Sequence, residues 1–456
     1  MSLPIVKPKG FQIAIIFCFE SIRVFDTIYY MAKKLDTNPY KGVRDFYPED
    51  MWVEKYLFRI MREVVERFGY IEYGASPLEP SELYKEKSGE EIVNEQTYSF
   101  TDRGNREVTL RPEMTPTVAR MVAGRKRDLP FPLRWYSIPN LFRYESPQRG
   151  RLREHYQLNV DVFGISNIEG EIEVISIAHS IMKAFGASEG DFSILINSRK
   201  LMKALFESYE LNDEDSLILS KLLDKKEKVD KKIFEESVEK ILKDKTSEFL
   251  LLLTSHDKLL DKVGKDHPAT TTLIGLIESL DKLGIKNIAF TPTLMRGFDY
   301  YTDIVFEVFD NHPDNNRSLF GGGRYDSLLE LFSNDSLPAI GFGMGDVTIR
   351  DFLETHNLLP KYRPETNALL ATIGTIDRDQ VLELTQRLRN GGVSVALNTI
   401  AKKPADAIKG ALKLGIPYII FVGEDELTNK IYTLKNLTTE STESLSDEEL
   451  IKKIQS

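Results

Sequence analysis

Apolar residues recur along the chain with two periods, one typical of helices and one typical of strands. Residues 52–68 (WVEKYLFRIMREVVERF) carry apolar side chains three and four apart, which predicts a helix that ends at Gly69. Short apolar runs at 70–75, 160–163, 303–309 and 340–344 are typical of strands. Strands that follow one another, rather than alternating with helices, favour an α+β fold. We therefore expect an antiparallel sheet with flanking helices rather than a doubly wound parallel sheet.

Two later stretches have a different character. Residues 211–267 are rich in Lys, Asp, Glu and Leu at helical spacing, and strands resume at Ile288, which predicts a helical insertion with solvated charged faces. From 363 onward, strands (368–373, 393–398, 418–422) alternate with helices (377–389, 405–414), which predicts a small α/β domain. The expected segments are an extension (1–35), a main domain in two parts (36–200 and 288–362), the insertion (201–287) and the C-terminal domain (363–456).

Composition narrows the class of protein. The net charge of −10 argues against a non-specific nucleic-acid coat but permits a local basic groove. One cysteine (Cys18) leaves no disulfide framework and suits a reducing cytoplasm, and six scattered histidines predict no metal centre. The apolar run at 11–19 is too short to span a bilayer and lacks a small-residue cleavage site. We expect a non-essential extension there, and no membrane attachment.

The stretch FRYESPQRGRLREHYQLNVDVFG (142–164) concentrates arginine beside an alternating strand. His155, Gln157, Asn159 and Asp161 share one face of that strand, opposite an apolar face. Two interpretations are open from the residues alone. The polar face belongs to a solvated edge hairpin, or it lines a pocket with a basic lip for a small zwitterion and a phosphate.

Two other stretches carry candidate chemistry. LMRGFDYYTDIVFEV (294–308) places Arg296, Tyr300 and Tyr301 at the mouth of a strand, and Arg next to Gly suits phosphate binding. In LRPEMTPTVAR, Glu113 and Thr115 could hold an ammonium group, although Thr115 is equally explained as a helix cap before Pro116.

Glycine-rich patterns give weaker signals. FGGGRYDSLLELF (320–332) predicts a close backbone approach followed by a helix, and AIGFGMGDVTIRDFL (339–353) predicts a strand feeding a helix capped by Asp346. Neither has the strand–GxGxxG–helix spacing of a dinucleotide site, so we expect no nicotinamide cofactor.

Together these motifs resemble the histidyl-tRNA synthetase family of class II aminoacyl-tRNA synthetases, from about Lys41 onward. FRYE and the arginine loop resemble class II motif 2, the helix at Trp52 and its strand resemble motif 1, and GFGMGDVTIRDF resembles motif 3. LMRGFDYYT resembles a histidine-specific peptide of this family, supported by GGGRYD. The segment 368–456 resembles the family's anticodon-binding domain.

The resemblance implies a cytoplasmic, homodimeric histidine–tRNA ligase that forms histidyl-adenylate from L-histidine and ATP with Mg²⁺, and then charges the 3′ end of tRNA(His). It assigns Arg143, Glu145 and Arg296 to ATP, with Arg143 and Arg296 catalytic. Gln148 and Arg149 are assigned to the tRNA acceptor end, and the insertion to the acceptor stem. The residues implied to bind histidine are Glu113, Thr115, Gln157, Asp161, Tyr300, Tyr301 and Tyr325.

The chain departs from the family pattern at two positions. Asp161 stands where the family usually has Glu. Thr348 stands where the family has the motif 3 arginine for the γ-phosphate of ATP, and Arg350, about 200° further around a helix, cannot replace it. The second departure keeps two alternatives open: a regulatory paralogue that binds histidine without charging tRNA, and a non-catalytic tRNA-binding protein.

Overall fold

A computed structural model describes residues 35–85, 96–226, 229–295, 300–332, 336–398 and 403–455. The chain divides into two compact units, Met1–Asp45 and Phe46–Ser456. In the first unit the described residues form a turn, in which Val43 N donates to Tyr40 O (3.1 Å) and Gly42 has a φ of 89°. None of the helices in the described ranges is long and apolar enough to cross a membrane.

The second unit contains a nine-stranded central sheet and a small three-stranded sheet. Their strands are β1 (Ile71–Glu72), β2 (Leu78–Pro80), β3 (Tyr98–Thr101), β4 (Glu107–Leu110), β5 (Leu133–Ser137), β6 (Asn140–Phe142), β7 (Glu154–Phe163), β8 (Phe192–Ser198), β9 (Ile288–Phe290), β10 (Ile304–Asp310), β11 (Ser318–Arg324) and β12 (Ala339–Gly345). The central order is β1-β5-β7-β12-β11-β10-β8-β9, with β6 on β7, and the small sheet is β2-β4-β3. The β1–β5 and β8–β9 pairs at the two edges are parallel and the other pairs are antiparallel, so the predicted sheet is mixed at its edges.

Eleven α-helices accompany these two sheets in the described ranges. They are α1 (Pro48–Arg67), α2 (Glu82–Lys85), α3 (Thr115–Arg125), α4 (Glu169–Ala184), α5 (Arg199–Ser208), α6 (Asp213–Asp224), α7 (Lys231–Leu242), α8 (Thr246–Leu252), α9 (His256–Val263), α10 (Pro268–Lys282) and α11 (Asp346–Thr355). Leu57 of α1, Ile177 of α4 and Val160 of β7 belong to one core and are fully buried, so α1 and α4 pack against the apolar face of the central sheet. The helix predicted at 52–68 is confirmed as α1, which begins four residues earlier because Pro48 suits the first helical turn.

Helices α5 to α10 fill the chain between β8 and β9, where the charged stretch predicted helices. Lys231–Glu235 and Lys232–Glu236 are exposed i,i+4 pairs on α7, at 3.8 and 3.9 Å. These charges lie on solvated helix faces, and such pairs contribute little to stability.

The C-terminal part of the second unit is built on a separate five-stranded sheet. Its elements are β13 (Ala368–Thr372), α12 (Arg378–Asn390), β14 (Val395–Asn398), α13 (Pro404–Lys413), β15 (Tyr418–Val422), α14 (Glu424–Asn429), β16 (Tyr432–Asn436), β17 (Thr442–Leu445) and α15 (Asp447–Gln455). The predicted parallel β13–β14 and β13–β15 pairings are present, and β16 and β17 add an antiparallel hairpin that the periodicity did not predict.

Four local predictions were wrong. Thr115 and Asp346 are the first residues of α3 and α11 rather than caps; the caps are Met114 and Gly345, and Asp346 instead accepts a hydrogen bond from Tyr156 N of β7 (2.9 Å). The strand predicted at 70–75 is only two residues long, because β1 pairs with β5 alone. A short 3₁₀ turn, Leu328–Leu331, stands where a helix was expected after FGGGRYD.

Candidate active site

The site is built on the polar face of β7. Residues 159–163 of this strand pair with β5 on one side, residues 157–163 pair with β12 on the other, and residues 154–156 pair with β6. Leu158, Val160 and Val162 are fully buried on the apolar face, while Asn159 and Asp161 are 4% and 3% exposed on the other. The edge-hairpin interpretation is therefore wrong for β7, because the polar side chains lie at the centre of a sheet.

Asp161 is the most perturbed group on this face. Tyr325 Oη donates a hydrogen bond to its Oδ1, and its Oδ2 is buried without a hydrogen-bond partner among the described residues. Burial raises the pKa of Asp161 to about 7, against the opposing effect of the Tyr325 hydrogen bond. A buried acceptor oxygen without a protein donor can accept a hydrogen bond from a ligand.

Glycines of β12 make room for this polar face. A Cβ at Gly341 would overlap Asp161 Oδ1 and lie 2.5 Å from Val160 O, and a Cβ at Gly343 would lie 2.8 Å from Gln157 Cδ. At Gly341, where the Val160 carbonyl is also too close, only a residue without a side chain fits beside Asp161; at Gly343 a side chain would displace the end of Gln157. The spacing of two in GFGMG is the sequence signal for this arrangement, since it places the glycines on one strand face.

The second predicted set lies in the same cluster. Tyr300 Oη donates to Glu113 Oε2 (3.1 Å), and burial, followed by the charge of Glu113, raises the pKa of Tyr300 well above its usual value. The Tyr300 ring centroid lies 5.0 Å from that of Tyr301 and 5.9 Å from that of Tyr325. Contacts therefore run from Glu113 through Tyr300 and Tyr325 to Asp161. Thr115 begins α3 two residues after Glu113.

The arginine loop forms one border of this pocket. Arg143 Nε donates to Pro112 O (2.9 Å), directly beside Glu113, and Arg143 N donates to Arg153 O (2.9 Å) at the base of the hairpin. Glu145 lies between two guanidinium groups: Arg143 Nη1 is 4.0 Å from Oε1, and Arg151 Nη1 is 3.7 Å from Oε2. Gln148 pairs with Arg151 across the tip. The predicted polar pocket and basic lip are thus contiguous.

The tip of the loop rests against α11 rather than projecting into solvent. Arg149 Nη2 and Nε contact Asp351 Oδ1 at 2.8 and 2.9 Å, and Nη1 donates to Asp314 O (3.1 Å). Arg149, assigned to the tRNA acceptor end, is therefore held by the protein in this arrangement. Its side chain remains 53% exposed, so the exposed part of the guanidinium can still meet another partner.

Helix α11, which contains Thr348, supplies no unpaired arginine or lysine side chain near that position. Thr348 Oγ1 donates to Leu319 O (2.8 Å). Arg350 instead pairs with Asp50 (3.0 Å) and Glu354 (2.9 Å). This agrees with the expectation that Arg350 does not replace the motif 3 arginine.

Arg296 lies outside the described residues, but both ends of its segment are held by Arg199, which the sequence reasoning missed. Arg199 Nη1 donates to Tyr301 O (2.8 Å) and Nη2 donates to Met295 O (3.0 Å). No motif in the sequence connected Arg199 with a stretch about a hundred residues later, because only the β8–β10 pairing brings the two together. Within the described ranges, no group of three or more His, Cys, Asp or Glu side chains is placed to hold a metal ion.

Comparisons with known proteins match both the main part of the chain and its C-terminal domain. A family model described as histidyl-tRNA synthetase covers residues 42–347, and one described as anticodon binding domain covers 368–456. A histidine–tRNA ligase of Leptospira biflexa is 42% identical over 428 residues, or 92% of this chain and 98% of that protein. One of Thermoplasma volcanium is 37% identical over 406 residues, or 88% and 94%. The crystal structure of histidyl-tRNA synthetase from Nostoc sp. PCC 7120 has the same fold, with a TM-score of 0.79 at 22% identity over 92% of this chain and 99% of that one.

Proposed function

Because the chain belongs to the histidyl-tRNA synthetase family, we propose that it ligates histidine to tRNA(His) in two steps. The observation that carries the proposal is Oδ2 of Asp161, which is buried beside Tyr325 and has no hydrogen-bond partner among the described residues. An imidazole N–H is a donor of the right kind for that oxygen, and Tyr325 orients the carboxylate through Oδ1. An apolar mimic of histidine would leave Asp161 without a donor and bind far more weakly.

The rest of the pocket suits the amino-acid backbone. Glu113, 3% exposed, offers a carboxylate to the histidine ammonium group, with the Thr115 hydroxyl two residues away. Gln157, above Gly343, would donate to the histidine carboxylate. Tyr300 and Tyr301 close the pocket on the imidazole side, where Tyr301 also lies against Gly323.

Activation would depend on charge stabilisation rather than on a covalent enzyme intermediate. The histidine carboxylate attacks the α-phosphate of ATP in line, the bond to the β-phosphate breaks, and pyrophosphate leaves. Arg143, beside Glu113, would hold the α-phosphate, Glu145 would contact the adenine edge, and Arg296 would share the developing charge. Mg²⁺, bound together with ATP, would supply further positive charge against the triphosphate.

In the second step the terminal ribose hydroxyl of tRNA attacks the carbonyl of the adenylate, and AMP leaves. Gln148 and Arg149 at the loop tip would meet the acceptor end, helices α6 to α10 the acceptor stem, and the C-terminal sheet domain the anticodon. Because these contacts are largely with phosphates, tRNA affinity should fall steeply with salt. We extend the proposal to a cytoplasmic homodimer, to which edge strand β1 would contribute its 68% exposed Ile71.

The test is ATP–pyrophosphate exchange with each of the twenty amino acids, followed by charging of tRNA(His). Exchange with histidine alone, and charging, is the expected result. Exchange with no amino acid, from folded protein, would overturn the ligase and favour the regulatory or tRNA-binding alternatives. Intact tRNA binding without histidine-dependent use of ATP would identify the latter.

A further inference from the structure

A cation that the sequence motifs did not single out lies at the tip of the arginine loop. Arg317, directly before β11, has its backbone fixed by a bond from Asp310 N to its carbonyl (2.9 Å), and its Nη1 donates to Arg149 O (2.9 Å). A Cβ at Gly150 would overlap Nη1 and lie 3.7 Å from Thr348 Cγ2. The Arg317 guanidinium therefore occupies the space between the loop tip and the first turn of α11, beside the short side chain of Thr348.

Arg317 makes no hydrogen bond to a carboxylate among the described residues. Arg149 takes Oδ1 of Asp351 with two nitrogens, at 2.8 and 2.9 Å. Arg317 Nη1 is 3.7 Å from Oδ2, beyond hydrogen-bond distance, and its side chain is 27% exposed. Two guanidinium groups thus share one carboxylate, and an anion from solvent can reach one of them.

The loop carries the same arrangement at both ends. At its base, Arg143 and Arg151 share Glu145, and at its tip, Arg149 and Arg317 share Asp351. The base adjoins the histidine pocket through the bond from Arg143 to Pro112 O, so the reacting phosphate belongs there. A polyphosphate that starts at the base and extends along the loop would place its far end at the tip.

We propose that Arg317 binds the terminal phosphate of ATP and stabilises the pyrophosphate that leaves, in the place where position 348 supplies no cation. The proposal rests on the proposed function for the direction in which ATP lies. Arg317 would exchange its hydrogen bond to the Arg149 carbonyl for hydrogen bonds to phosphate oxygens, which are stronger because both partners are charged.

The test compares ATP with ADP, measured by calorimetry on the full chain. Arg317→Gln should weaken ATP binding about 10- to 100-fold, as expected for lost hydrogen bonds to a charged group, and leave ADP binding within about twofold. Arg317→Lys, which keeps the charge, should recover part of the loss. Arg350→Gln, on the same helix turn as Thr348 but paired with Asp50 and Glu354, is the matched control and should leave both affinities unchanged.

Unchanged ATP binding in Arg317→Gln, or an equal loss for ATP and ADP, would overturn the proposal, since the second result assigns Arg317 to loop position rather than to the terminal phosphate. Absence of ATP binding by the unaltered protein would overturn it too. ATP binding that depends on Arg317, in a protein without histidine-dependent exchange, would refute the ligase and leave the phosphate site standing.

Discussion

Replacing Asp161 with Asn removes one charge from the centre of the sheet and keeps the shape of the side chain. The amide oxygen can still accept from Tyr325 Oη, and the amide nitrogen takes the place of the unpartnered Oδ2. Because the two side chains have nearly the same volume, the difference in stability between the two proteins should come from ionisation of the carboxyl group.

The size of that difference follows from the pKa. Burial raises the pKa of Asp161 from 3.8 to about 7, so the folded protein holds the proton more tightly than the unfolded chain. A raised folded-state pKa gives stability that is present at low pH and is lost as the pH rises through the folded-state value. Between pH 5 and pH 8 the loss is about 3 kcal/mol, which is roughly a 3 °C fall in melting temperature for a unit of this size.

The assay is thermal unfolding of the ligand-free wild type and Asp161→Asn in the same buffers from pH 5 to pH 8. Other titrating groups cancel in the difference, so the melting temperature of the variant should rise relative to that of the wild type by about 3 °C across this range. Tyr325→Phe is the companion variant. Removing the hydroxyl that favours the ionised carboxylate should raise the pKa of Asp161 further and move the loss to higher pH. A difference that stays flat with pH would refute the reasoning.

Three more outcomes follow from contacts in the same unit. Gly341→Ala would place a Cβ 2.5 Å from Val160 O and against Asp161, so it should destabilise the protein by about 1–3 kcal/mol and abolish histidine-dependent exchange. In the control Gly345→Ala, the new Cβ would lie 3.7 Å from its nearest neighbour, so this variant should have the melting temperature and activity of the wild type. Equal melting temperatures for the two variants would contradict the steric argument. Arg324→Ala leaves the buried Glu171 carboxylate unpaired and should lower the free energy of unfolding, measured in denaturant, by about 3–5 kcal/mol. Adding Glu171→Gln to that variant should restore part of the lost stability. Additive losses would show that the two residues are not a pair. Arg149→Ala breaks a half-exposed pair worth about 0–1 kcal/mol, so melting should stay unchanged while amide exchange at Gln148 and Arg151 quickens; unaltered exchange would mean that Asp351 does not hold the tip.

The alternating pattern of β7 predicted which residues share a face, because side-chain direction along a strand is a local property. Whether that face contacts water or lines a pocket is not a local property of the strand. It depended on β5 and β12 pairing on either side, and Gly341, which leaves space for Asp161, is 180 residues away in the sequence. The sequence could therefore propose Gln157 and Asp161 as pocket residues but could not choose between the two interpretations from the residues alone.

Position 348 shows the same limit at the arginine loop. The helical angle correctly set Arg350 apart from Thr348, since that geometry belongs to one helix. Arg317, directly before β11, reaches the neighbourhood of Thr348 through a contact with Arg149, which is 168 residues away in the sequence. The caps at Thr115 and Asp346 failed for a smaller reason, because each helix begins one residue earlier than a cap there would require.

Strand β7 contains a buried charged group that lowers the stability of the fold. Val160 and Val162 bury apolar surface against the helices, which stabilises the sheet, while Asp161 between them holds a buried carboxylate with one oxygen unpartnered. An apolar residue at position 161 would avoid the cost of burying this carboxylate. In the proposed function, an imidazole N–H would offset this cost by donating a hydrogen bond to Asp161. On this argument histidine should stabilise the wild type most at high pH, where Asp161 is ionised, and should stabilise Asp161→Asn much less at any pH.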